Sequence, residues 1–135
     1  MNFKVTFNEK TQIVESRVHC NFDWNLVETM IPEIGKHILQ SGTNLIFIDF
    51  RRSNVTMSTT KIYETPRKIA EEFAKMGIDA KKMRRAILIK PGQKDFDFLD
   101  SVTSNNAQIL KLFYEEELAM KWLISLRTNT ISQGN

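Results

Sequence analysis

One short stretch carries most of the side chains able to do chemistry: Asp49, Arg51, Arg52, Ser53, Ser58 and Thr59. A carboxylate beside two guanidinium groups can hold a polar or charged ligand. A hydroxyl at a helix start can cap the helix or carry a phosphate. The stretch Leu45-Ile-Phe-Ile-Asp-Phe-Arg-Arg-Ser-Asn-Val-Thr-Met-Ser-Thr-Thr60 opens as an apolar strand and closes on hydroxyls. In an open α/β sheet, ligands gather beyond the carboxyl ends of the strands. The free N–H groups of a helix start also suit an anion. Against these readings stands a plainer one, in which Asp49 pairs with an arginine and Ser58 only caps. A phosphate on Ser58 would gain from the helix dipole and from nearby arginines, so Ser58 is a candidate phosphorylation site.

Other chemistry is poorly provided for. There is no Gly-x-Gly-x-x-Gly, no Walker loop and no Gly-x-Ser-x-Gly elbow, and only 5 glycines in 135 residues. His19 and Cys20 are neighbours on an expected strand, so their side chains point to opposite faces. His37 has no Cys, Asp or His at ligand spacing. Neither a metal nor a cofactor is expected. Asp95, Asp97 and Glu115 to Glu117 lie near helix starts, where negative charge complements the dipole. The basic run Lys81, Lys82, Arg84 and Arg85 lacks interleaved aromatics and reads as a solvated face ahead of a strand. With a net charge of only +3, nucleic acid is not an expected partner.

The elements that must position these residues follow from hydropathy. Phe3, Val5 and Phe7 alternate with polar residues, as on a half-buried strand. A polar turn, Asn8 to Thr11, leads to a second strand over Gln12 to Cys20, making an antiparallel hairpin. Trp24, Val27, Ile31, Ile34 and Ile38 form one helix face. Pro32 interrupts it, either kinking the helix or opening a second piece, and Gly42 stops it. Leu45 to Phe50 reads as a central strand covered on both faces. Ile62, Pro66, Ile69, Phe73 and Met76 mark a second helix, ended by Gly77. Ala86 to Ile89 is a fourth strand. Asp95 opens a third helix carrying Phe96, Leu99 and Thr103. Ile109 to Phe113 is a fifth strand. Ala119, Trp122, Leu123 and Leu126 form the buried face of a last helix. Trp24, Trp122 and the phenylalanines read as core.

The expected fold class is thus α/β: one domain with a mixed, mainly parallel five-stranded sheet, an N-terminal antiparallel hairpin and four helices. The domain covers residues 1–127, with residues 128–135 as a flexible C-terminal tail. The longest clean apolar run, Leu45 to Ile48, is too short for a membrane span. A single cysteine, Cys20, excludes an internal disulfide and suits a reduced thiol in the cytoplasm.

The order of elements, the Leu45–Arg51 strand and the ending Lys111-Leu-Phe-Tyr-Glu-Glu-Glu-Leu-Ala-Met-Lys-Trp-Leu123 resemble the SpoIIAA-like (STAS-like) bacterial family. The family's Ala-x-x-Trp-Leu helix is matched here by Ala119-Met-Lys-Trp122-Leu123. The resemblance implies a small α/β domain with helices covering its sheet, and no established common activity. In anti-sigma-factor antagonists of this fold, a strand ending in Asp is followed by an Asp-Ser-x-Gly helix start whose serine is phosphorylated. Counting from Asp49, Ser58 falls near that serine. Met57 stands where the aspartate is expected, and Thr60 where the glycine is.

The first functional expectation is therefore a non-enzymatic, cytoplasmic STAS-like regulatory or interaction module. It would bind a protein partner or a small anionic or apolar ligand, and a homodimer is open. The second expectation, by analogy with Sec14-like domains, is a carrier of lipid or a small apolar ligand. The third is a small enzyme using Asp49 with Arg51 or Arg52.

Overall fold

The computed structural model describes residues 2–93, 96–97 and 108–133, with side chains as far as Arg127. The hairpin expected from alternation forms: β1 (Phe3–Asn8) pairs antiparallel with β2 (Ile13–Val18), Phe3 opposite Val18. Gln12 sits at φ 63° in the connecting turn, and its N–H donates to Asn8 O. β3 (Leu45–Asp49), β4 (Arg84–Leu88) and β5 (Ile109–Phe113) add in parallel, giving a five-stranded mixed sheet in the order β1-β2-β3-β4-β5. Spatial order equals sequence order. β3 is buried at every position, as expected for a central strand with both faces covered.

Helix α1 (Trp24–Ser41) is capped by Asp23, whose carboxylate accepts from Leu26 N at 2.9 Å. It runs unbroken through Pro32 and ends at Gly42, where φ is 76° and the N–H returns to Ile38 O. Helix α2 (Thr59–Ala74) runs unbroken through Pro66, and Gly77 (φ 78°) follows its end. Both helices pack on one sheet face: Val27, Ile31, Ile34 and Ile38 of α1 and Phe73 of α2 share a core with Val14, Ile46, Ile48 and Ile87. Phe96 belongs to this core, stacked on Phe50 and edge-on to Phe22.

The last helix, α3 (Glu116–Gln133), packs on the other face, where Ala119 and Leu123 meet Ile13, Leu45, Phe47, Ala86 and Leu88. The element extends past Arg127, into residues that the sequence assigns to the tail. The α/β class with a mixed five-stranded sheet is thus present, with three α-helices among the described residues. The helix expected from Asp95, carrying Leu99 and Thr103, lies outside the described residues apart from Phe96 and Asp97.

Two expectations need correction. The run Lys81 to Arg85 is not one solvated face. A 3-10 turn covers Ala80–Lys82, and β4 begins at Arg84, so Arg84 is half-buried and Arg85 is only 3% exposed. Parallel pairing of Leu45 with Arg84 and of Ile46 with Arg85 draws both arginines into the sheet. Trp24 is not in the core. It is half-buried, with Lys61 Nζ 5.2 Å and Lys68 Nζ 5.5 Å from its ring centre, an arrangement in which the ring face attracts cations.

Candidate functional site

Asp49 closes β3 and is 8% exposed. Both of its oxygens are committed. Oδ1 accepts from the Arg51 backbone N and Nε, each at 3.0 Å. Oδ2 accepts from Arg51 Nη2 at 2.9 Å and Arg17 Nη1 at 3.1 Å. Arg17 comes from β2, where parallel register sets it beside Asp49. Its guanidinium lies 5.4 Å from the Phe47 ring centre and makes a two-pronged bond to Glu116, at 2.8 and 3.1 Å. The plainer reading, in which Asp49 pairs with an arginine, is therefore met by Arg51, and Arg17 and Glu116 extend the pair into a network across three elements.

The electrostatics follow the geometry. Burial pushes the Asp49 carboxyl up, but bonds from the Arg51 side chain and backbone and from Arg17 outweigh it and leave the group below its ordinary value. The bond from Arg17 holds Glu116 low against a smaller effect of burial. Arg17 and Arg51 are both raised, chiefly by bonds to Glu116 and to Asp49 respectively. An aspartate held ionised by two guanidinium groups is a poor proton acceptor at neutral pH.

Outside this network opens a groove of about 450 Å³, lined by Arg17, Val18, His19, Asp49, Arg51, Arg52 and Lys90. Arg52 and Lys90 are exposed and make no ion pair among the described residues. The groove lies at the carboxyl ends of β2, β3 and β4. It does not sit at a reversal of winding, because α1 and α2 cover the same sheet face.

The other candidates fall elsewhere. Ser53 is 1% exposed. Its hydroxyl donates to Cys20 O at 2.5 Å, and its carbonyl accepts from Gln93 Nε2 at 2.8 Å. It pins the loop after β3 to the segment before α1, and no ligand could reach it there. Ser58 is exposed and caps α2, accepting from Lys61 N at 3.3 Å. Thr59 is the exposed first residue of α2. Neither Ser58 nor Thr59 lines the groove. Burial, with Asp23 adding, pushes the Cys20 thiol up, which keeps it protonated.

The chain matches no family model and no curated protein. No described helix is long and apolar enough to cross a membrane.

Three members of the site escape a local reading of the sequence. Glu116 sits in a helix start where dipole compensation is explanation enough. Lys90 is one more charge after a strand. Arg17 carries the only hint, as a charged residue in a strand otherwise mostly buried.

Proposed function

We propose that the chain is a non-enzymatic, STAS-like interaction module of the cytoplasm that binds an anionic segment of a partner protein. The contact would lie in the groove at the carboxyl ends of β2, β3 and β4. One observation carries this reading: Asp49 is neutralised by Arg17 and Arg51, while Arg52 and Lys90 face the same groove unpaired. A groove with spare cations steers and holds negative charge. The committed state of Asp49 weighs against acid–base catalysis by Asp49 with Arg51 or Arg52. A carrier that encloses its ligand within the core is weakened by volume, since the void beneath α1 and α2 is about 20 Å³, room for roughly one water. Ser58 remains a candidate phosphate acceptor at the exposed start of α2.

The test uses two synthetic peptides of equal length, one rich in Asp and Glu and one with the corresponding amides, titrated into the labelled protein and followed by NMR. The acidic peptide is expected to shift the amides of Arg51, Arg52 and Lys90, with affinity falling steeply as salt rises. Arg52→Glu with Lys90→Glu should abolish the shifts. Equal response to both peptides, or an unchanged response in the double variant, removes the proposal.

A further inference from the structure

A further charged side chain is buried at the opposite end of the sheet, and among the described residues it has no counter-ion. Arg85 is the second residue of β4 and faces α1 and α2. Its Nη2 donates to Gln108 Oε1, and Gln108 Nε2 donates to Pro66 O at 2.9 Å. Arg85 Nε has no hydrogen-bond partner among the described residues. Burial pulls the guanidinium down to about 10, still protonated at neutral pH. A buried cation held by one neutral amide, with a donor to spare, is a costly arrangement.

The surroundings of Arg85 have two compartments. Inside lies the void of about 20 Å³, walled by side chains such as Ile46, Ile69, Phe73, Ile87 and Leu110. Outside lies a cleft of about 530 Å³ between the end of α2 and the start of β4. Gln108 lines this outer cleft and grips Arg85 behind it. The cleft is floored by Ala70, Ala74, Ile78 and Ala80, with Arg67 and Lys81 also on its wall. Lys81 makes no ion pair among the described residues. Asp79, the one acid of the lining, is turned to the backbone, accepting from Lys81 N at 3.0 Å.

We propose that this cleft binds an amphipathic monocarboxylate, with its apolar body on Ala70, Ala74, Ile78 and Ala80 and its carboxylate taking the place of the Gln108 amide on Arg85. A guanidinium presents parallel N–H donors that match the two oxygens of a carboxylate, so the incoming group would use the unpartnered Nε as well as Nη2. The amide it displaces offers Arg85 one oxygen and no charge. The inner void leaves room for a small shift of the head group but none for a chain, so the tail stays in the outer cleft. That cleft lies within the size range of small-molecule sites. The apolar floor of Ala70, Ala74, Ile78 and Ala80 favours a ligand with an apolar body over a strongly hydrated phosphate. The site is independent of the Asp49 groove, at the other end of the sheet.

Octanoate, octanol and inorganic phosphate serve as probes of the full chain, by calorimetric titration and thermal melting. Octanoate is expected to bind saturably and raise the melting temperature, with octanol and phosphate at least about tenfold weaker. Gln108→Glu would place a built-in carboxylate on Arg85. It should raise the melting temperature of the free protein and weaken octanoate by at least about tenfold. Arg85→Met should abolish octanoate binding, and if that variant fails to fold, Gln108→Glu decides alone. Arg52→Glu with Lys90→Glu should leave octanoate binding unchanged. The proposal falls if octanoate does not saturate, if octanol binds equally, if sodium chloride shifts melting as much as octanoate, or if Gln108→Glu binds octanoate as the parent does.

Discussion

Arg17 and Glu116 stand 99 residues apart in the chain and meet through two parallel hydrogen bonds, at 2.8 and 3.1 Å. The pair ties β2 to the first turn of α3, and through Arg17 it reaches Asp49 on β3. Arg17 is partly exposed, so solvent screens the pair and its worth is modest. A double-mutant cycle of Arg17→Met and Glu116→Gln, read by urea unfolding, is expected to give a coupling of about 1 kcal/mol. Additive single effects would show that the two side chains merely lie near each other.

Acid should loosen the same network. Asp49 and Glu116 are both held below their ordinary values, and unfolded carboxyls titrate near about 4. Groups depressed in the folded state contribute stability that is complete above the unfolded value and is lost as pH falls through the folded one. Urea midpoints should therefore hold level from pH 7 to about 5 and drop progressively below about 4. In Arg17→Met that drop should be smaller, because the folded carboxyls would then lie closer to their unfolded values.

Ser58 offers a clean separation of cap from switch. Its hydroxyl accepts from Lys61 N at 3.3 Å, a long bond, so Ser58→Ala should cost about 0.5–1 kcal/mol. Ser58→Asp keeps an acceptor and adds charge at a helix start, and should be neutral or slightly stabilising. If Ser58→Asp also left acidic-peptide affinity at the groove unchanged, a phosphate at Ser58 would have no route to that groove.

Gly42 ends α1 at φ 76°, and nothing lies within 4 Å of where a Cβ would sit. Gly42→Ala should therefore be destabilising by about 1 kcal/mol from backbone strain alone. Its crystal structure should show no shifted neighbours. Unfolding at the parent's urea midpoint would mean that the turn relaxes out of the left-handed region.

Much of the sheet can be read locally because its signals are local. Phe3, Val5 and Phe7 alternate, Asp23 caps, Gly42 stops, and Leu45 to Ile48 runs apolar between two layers. The start of β4 cannot be read this way. Two arginines lead that strand, and their burial depends on pairing with Leu45 and Ile46, residues distant in the chain. The candidate site divides along the same line. Asp49 with Arg51 is a contact between near neighbours, visible in the stretch itself. Arg17, Glu116 and Lys90 join it only once the sheet has formed. Ser53 looks like its neighbours in sequence but is drawn inward by Cys20 and Gln93, a tie between a loop and a segment ahead of α1 that no local pattern encodes.

α3 follows all five strands in sequence, and among the described residues it alone covers the face of Ile13, Leu45, Phe47, Ala86 and Leu88. During synthesis the N-terminal residues emerge from the ribosome first and begin to pair before α3 has appeared. β2, β3 and β4 can thus assemble under α1 and α2 while their second face is still bare. The nascent chain then presents a sticky apolar sheet until α3 emerges to cover it. A chain shortened before Leu123 would keep that face open for good, and would be handed to chaperones or proteases rather than accumulate.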